Sequence, residues 1–397
     1  MSPLPLEGVR VLEASQVMAG PYCTLLLADM GADVVKVEKP RGGDDSRRMG
    51  PPFINGESAA FLAINRNKRS VALDIKQPAG RAVFRRLAGQ ADILVENFRP
   101  GTLGALGLGY ADLTAEHPQL IYCSISGYGQ TGPDRERGGY DLVAQGASGL
   151  MSITGHPGQP PVKVGVPVAD LNAGMYAAYG VLCAYIHRLK TGQGQYVDTS
   201  LLEAGLAYTV WESAMFFATG VNPPPMGSAH RLAAPYQAFK TSDGYITIGA
   251  ANQANWELLC QALGRPELVA DARYLDNPAR TRAAPELAGE LEQTFAQRST
   301  REWLERMEVV GLPAGPVNDM AAVYADPQVQ ARNMQVELDH PTAGRIKHIG
   351  VPVKLSRTPG SVRRPAPTLG QHTDEILAEA GLTPAEVAGL RADHVVG

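Results

Sequence analysis

Asp170 is the one acidic residue in VGVPVADLNAGMYAAYGVLCAYIHRLK, residues 164–190, and it falls where an apolar segment ends and a helical pattern begins. Two chemistries suit that position. Aspartate at a helix start accepts hydrogen bonds from backbone N–H groups that have no partner in the first turn, which makes it a cap. The same helix end carries about half a positive charge, which favours an anionic side chain and steadies a developing oxyanion. A carboxylate there can attack an activated acyl group and hold it covalently. Ala173 and Gly174, just downstream, are small enough to let a bulky partner approach. Spacing alone leaves both readings open.

A second group of candidates lies in loops rich in glycine and proline. VENFRPG, residues 95–101, presents Asn97 and Arg99, and EKPRGGDDSRRMGPPF, residues 38–53, presents Lys39, Arg41, Arg47 and Arg48. Guanidinium and ammonium groups gathered in such loops suit phosphates or a carboxylate. Several other chemistries find no support. The first turn, MAGPYCT, has one glycine and a proline where a dinucleotide fold needs G-x-G-x-x-G, and neither a Walker loop nor G-x-S-x-G occurs. The eight histidines form no metal-binding pattern, and Cys23, Cys123, Cys183 and Cys260 are scattered among apolar neighbours as small buried hydrophobes.

The elements that must position these groups alternate along the first 200 residues. Strands are predicted at 9–14, 34–38, 70–76, 92–98 and 120–129, with helices at 20–32 and 78–90 between them. That order predicts an α/β fold with a parallel, doubly wound sheet, whose ligands bind outside the carboxyl ends of the strands. Leu171, Met175, Ala178, Leu182, Tyr185 and Leu189 predict the apolar stripe of a helix over 171–189 that is buried nearly all round. Residues 1–205 are read as the first part of a large domain and 206–235 as a linker. A small domain follows at 236–315, opening with a hairpin around Ser242-Asp243-Gly244, and 316–397 return to the large domain. The 397 residues are 44% hydrophobic with a formal net charge of −4, which argues against a nucleic-acid partner. No run spans a membrane and no signal sequence opens the chain, so a cytoplasmic location is expected.

Taken in order, LEASQVMAGPYCTLLLADMGADVVKVEKPRGGDD, INRNKRSVALDIK, ADILVENFRPG, ISGYGQTGP, YDLVAQGASGLMSITG, VADLNAGMYAAYG and TGQGQYVDTSLLEA resemble the class III CoA-transferases. That family includes formyl-CoA transferase, carnitine CoA-transferase and the alpha-methylacyl-CoA racemases. The resemblance implies a large Rossmann-like domain, a smaller α+β domain and an interlocked homodimer. It places the nucleophilic aspartate at Asp170, which would carry the acyl group as a mixed anhydride and CoA as an aspartyl thioester. Coenzyme A enters as substrate, with no permanently bound cofactor or metal. Its contacts would be Val17, Ala19, Lys39, Leu73, Lys76, Asn97 and Phe98, together with Tyr140 and Asp141. Around the acyl groups the resemblance places Met18, Gly249 and Asn252.

Four departures shape the reading. Racemases have a histidine where this chain has Tyr140, and a tyrosine, with a pKa of roughly 10, is a poor acid/base partner for alpha-proton exchange. Asn252 stands where racemases carry an acid, so transfer is preferred and 2-methylacyl-CoA racemisation is the alternative. Met18 replaces the glutamine of formyl-CoA transferases, and Ala105 replaces a basic phosphate contact of some members. Arg47 or Arg48 is expected to pair with the far carboxylate of a dicarboxylic acid, with succinyl-CoA as donor.

Overall fold

The computed structural model describes residues 3–397, which divide into two compact units. The larger comprises residues up to Met151, Lys163–Gly220 and Gln328–Gly397. Six strands form its sheet: β1 (Arg10–Ala14), β2 (Asp33–Glu38), β3 (Lys68–Ala72), β4 (Ile93–Glu96), β5 (Ile121–Ser126) and β6 (Tyr196–Ser200). Their order is β3-β2-β1-β4-β5-β6 and every pairing is parallel. The chain reverses its winding between β1 and β4, and a crevice opens at such a switch point. β5, IYCSIS, is buried along its whole length, as expected of a strand covered on both faces.

Alternate strand residues feed two cores. Val11, Val95 and Cys123 pack under α1 (Ala19–Asp29) and a long helix (Val168–Thr191), whereas Leu12, Leu94 and Tyr122 pack under α2 (Pro78–Gly89) and the C-terminal segment. The chain's end closes this second face: Ile376 and Val395 are buried there, and Val396 bridges to Leu73.

The long helix departs from the predicted stripe. Its buried face is Ala169, Ala173, Ala177, Val181 and Ala184, and Met175, Tyr176, Tyr179, Leu182, Ile186 and Leu189 are exposed. Small side chains let it lie almost backbone to backbone on α1; a Cβ at Gly174 would sit 2.7 Å from the carbonyl oxygen of Ala19. The bulky residues are therefore left on the outer face. Cys183 shares that exposure, unlike the other three cysteines.

The smaller unit comprises Ser152–Val162 and Val221–Pro327. Its antiparallel sheet pairs Tyr236–Lys240 with Tyr245–Gly249, as the hairpin reading predicts, and Tyr245–Gly249 with Ala314–Pro316. Phe239, Trp256, Phe295 and Trp303 centre its core. The stretch read as a linker, 206–235, includes the helix Val210–Thr219, none of whose residues is buried. Among the described residues no helix is long and apolar enough to cross a membrane, and no cluster of side chains is arranged to hold a metal ion.

Candidate active site

Loops at the carboxyl ends of β1, β4 and β5 enclose a cleft of about 310 Å³ at the switch point. Gln16–Ala19, Asn97–Pro100 and Ser126–Gly127 form its walls, Arg137–Tyr140 its rim, and Asp170 reaches it from the long helix. The rim depends on two glycines. A Cβ on Gly139 would lie 2.4 Å from the Cα of Gly127, so the backbones touch and only glycine fits.

The β1 turn is strained and heavily braced. Val17 has φ +66°, a left-handed conformation that is an outlier for a β-branched residue. Asn97 holds the preceding residue from both sides, accepting from Gln16 N and donating to Gln16 O, each at 2.8 Å. Asp44 accepts from Val17 N at 3.1 Å and belongs to a buried charge network. Lys36 donates to Glu13 at 2.7 Å, to the Ser15 carbonyl at 2.9 Å and to Asp44 at 2.8 Å. Lys68 donates to Glu13 at 2.9 Å, and also to Pro21 O and Asn65. Thr24 and Ser15 hydroxyls complete the shell of Glu13. Burial opposes every charge here, but Lys36 and Lys68 hold the Glu13 carboxyl down to about 2, and Lys36 holds Asp44 well below the carboxylate range. Burial in turn pulls Lys68 down to about 8 against the attraction of Glu13.

Asp170 is not the cap of its helix. It is the third helical residue, Pro167 occupies the capping position, and no side chain of the cap residue accepts a hydrogen bond. Asp141, first residue of a short helix (Asp141–Ala147), supplies the acceptor instead: its carboxylate accepts from Ala169 N at 2.9 Å. Among the described residues the Asp170 carboxyl has no hydrogen-bond partner of its own and faces the cleft. Burial, then the charge of Asp141, push its pKa up to about 7. The positive helix end is outweighed, so the carboxyl is poised near neutrality rather than held fully ionised.

The other expected contacts divide. Val17, Met18, Ala19, Asn97, Phe98 and Tyr140 line the cleft with Asp170. Asn97 does so with both ends of its amide already bonded to Gln16, so it braces the wall. Leu73 is buried in the core, which removes its side chain from any ligand. Lys76 is exposed beyond β3, and Lys39 is exposed beyond β2 with Asp45 2.9 Å away. Asp141 is consumed by Ala169 and by Gln145, whose amide donates to it at 2.7 Å, so it serves the helix rather than coenzyme A.

Arg47 is likewise spent. It forms a two-pronged pair with Glu38, both contacts at 2.7 Å, and lies over the Phe61 ring. A dicarboxylate cannot claim it without breaking that pair. Arg48 pairs with Asp45 at 2.7 Å on the surface. In the smaller unit, Asn252 caps the helix Gln253–Leu263 by accepting from Asn255 N, and Gly249 donates to Pro313 O. The cations that face the cleft are Arg99, whose guanidinium makes no hydrogen bond among the described residues, and Arg137, which pairs with Asp134. The residues that sequence reasoning missed, Glu13, Lys36, Asp44, Lys68 and Gln145, work behind the wall. Glu13 and Lys36 are opposite one another on β1 and β2, and a charge inside each of two apolar runs was the available signal.

A sequence profile described as CoA-transferase family III matches residues 6–373. The chain is 44% identical to succinyl-CoA:glutarate CoA-transferase of Homo sapiens, covering 94% of this chain and 86% of that one. It is 41% identical to succinate–glutarate CoA-transferase of Agrobacterium fabrum, covering 94% and 95%. A crystal structure of a CAIB/BAIF family protein from Brucella suis superposes with a TM-score of 0.86 at 39% identity, covering 96% and 100%.

Two outcomes follow from the site. Lys36→Met strands the buried Asp44 carboxylate without a cation and leaves Glu13 with Lys68 alone, so urea unfolding should report a loss of about 3–5 kcal/mol; a loss under about 1 kcal/mol would mean the network carries no weight. The carboxyl of Asp170 is raised above its ordinary value, so its contribution to stability is full below about pH 4 and is lost as the pH rises through about 7. Asp170→Asn should therefore raise the melting temperature at pH 8 by roughly 3 °C or more, with the gain vanishing towards pH 4. An equal shift at both pH values would contradict the burial argument.

Proposed function

We propose a specific reaction for this chain, which belongs to CoA-transferase family III: transfer of CoA from succinyl-CoA to a dicarboxylic acid of glutarate type, with Asp170 as the covalent relay. That the chain is a CoA-transferase acting on acyl-CoA follows from its family and its relatives. The observation that carries the rest is the state of Asp170, a carboxyl in the cleft with no hydrogen-bond partner among the described residues, at a helix start whose cap is supplied by another residue.

The Asp170 carboxylate attacks the succinyl thioester carbonyl, forming a mixed anhydride and releasing CoA thiolate. The thiolate attacks the Asp170 carbonyl of that anhydride, expelling succinate and leaving an aspartyl-CoA thioester. The acceptor carboxylate then displaces CoA to give a second anhydride. Attack of the thiolate on the acceptor's carbonyl releases the new acyl-CoA and restores Asp170. The negative oxygen of each tetrahedral intermediate develops near the positive end of the long helix, which steadies it. Arg99 and Arg137 in the cleft, with Lys39 and Lys76 exposed at the same sheet edge, supply positive charge for the phosphates of CoA. All atoms come from two acids, CoA and Asp170, so the reaction draws on no resident cofactor. The dicarboxylate preference rests on the relatives, since Arg47 is committed to Glu38. The cysteines, all unpaired, suit a reducing, cytoplasmic setting.

The same reading includes a homodimer. Tyr179 and Leu189 on the long helix are 67% and 69% exposed, and Phe217 on Val210–Thr219 is 82% exposed, an apolar surface that a monomer would leave in water.

A panel of organic acids with succinyl-CoA should give the highest kcat/KM for C4–C5 dicarboxylates, and Asp170→Ala should lower kcat by about 1,000-fold or more. Transfer confined to monocarboxylates would sink the substrate assignment. Light scattering should give twice the 42.2 kDa chain mass, and Tyr179→Glu with Leu189→Glu should shift it towards monomer. A monomeric wild type would remove the dimer from the account.

A further inference from the structure

We propose that Gln145 is a positioning residue for the transfer reaction: it locks Asp141 in place as the charged cap of the long helix, and through that cap fixes the position and reactivity of Asp170. The proposal rests on Asp170 being the nucleophile.

Gln145 is completely buried, one turn beyond Asp141 on the same short helix. Its amide has one possible orientation, because Oε1 accepts from Val164 N at 2.8 Å. Nε2 is thereby turned to Asp141 Oδ2 at 2.7 Å, with Val166 O at 3.5 Å. The other oxygen of Asp141 takes Ala169 N at 2.9 Å. One amide and one carboxylate thus tie the segment entering the long helix, and the residue before Asp170, to a single buried anchor. Both oxygens of Asp141 accept from N–H donors, which fixes the carboxylate in one orientation.

The consequence is a fixed negative charge beside the nucleophile. Ionised Asp170 is disfavoured by that neighbour and by burial, which makes its carboxylate more basic and a stronger nucleophile. Conversion to an anhydride or thioester abolishes the Asp170 charge and with it the repulsion, so the acylated states are favoured. The residue type at 145 matters for the same reason. Glutamate would set a second carboxylate against Asp141, and an apolar residue would leave Oδ2 without its donor. Other titratable or charged groups on elements packed around this region are Tyr22 and Cys23 on α1, Asp198 on β6 and Glu203 on Leu201–Leu206, with Asp45, Arg99, Arg137 and Tyr140 on the cleft wall. Of these groups, Asp141 is the one whose charge raises the Asp170 pKa, in addition to burial.

The test is rapid-quench mass spectrometry of the Asp170 peptide after mixing enzyme with succinyl-CoA, across pH 5–9, for wild type, Asp141→Asn, Gln145→Met and Gln145→Glu. Asp141→Asn keeps an acceptor for Ala169 N and removes the charge. It should move the acid limb of adduct formation down by about one pH unit and slow the plateau rate about tenfold. Each folded Gln145 variant should lose about tenfold in rate with the KM for succinyl-CoA within about twofold. An acid limb unmoved in Asp141→Asn, or a wild-type rate in either folded Gln145 variant, overturns the proposal. Absence of any adduct in wild type would instead overturn the nucleophile itself.

Discussion

The cleft depends on four buried charges. Glu13, Lys36, Asp44 and Lys68 satisfy one another so fully that each side chain has no solvent exposure. Desolvating four ions is costly, and such a cluster stabilises a fold only when every lone pair and proton finds a partner. Here they do, and the return is positional. Asp44 reaches from the β2 loop to the backbone of Val17 and, with Asn97 on Gln16, holds the β1 turn in a conformation a valine does not choose. That turn is the wall facing Asp170. A weaker network would let the turn relax towards ordinary backbone geometry and change the cleft without touching any group in it.

The second constraint is how the long helix arrives. Its alanine and glycine face lies flat on α1, which brings its first turn to the cleft at the sheet's switch point. The carboxylates at its start then divide their labour. Asp141 satisfies the helix N-terminus, leaving Asp170 unbonded in a half-buried place where its ionisation is costly. A reactive group is commonly held in a state the fold would rather avoid, and here the cost falls on one carboxyl.

Much of this is legible in the sequence, for identifiable reasons. Short apolar runs separated by helical patterns define β1 to β5, because strands buried on both faces must read as apolar. Asp170 and the cleft loops are found because loops at strand ends carry the chemistry of such sheets. The failures are equally physical. Arg47 and Arg48 look alike in a glycine-containing loop, but only Arg47 turns back to Glu38 at the end of β2. Asp141 lies near Asp170 as expected, yet which groups its oxygens bind is set by residues 164–169, which no local pattern relates to it. The stripe read on the long helix favoured its large residues, whereas close packing on α1 selects the small ones. Charges within strands, such as Glu13 and Lys36, carried the signal for the network, but only pairing of β1 with β2 puts them together.

The central claim is that the acceptor's carboxylate passes through Asp170. Turnover of succinyl-CoA with a dicarboxylic acid labelled with oxygen-18 in its carboxyl groups measures this directly. Each cycle leaves one acceptor oxygen on the aspartate, so the peptide containing Asp170 should gain mass by label incorporation, and the succinate released in later cycles should carry the label too. An unlabelled Asp170 peptide after many turnovers would contradict the account, because it would mean that the acyl group and CoA change partners without crossing that residue.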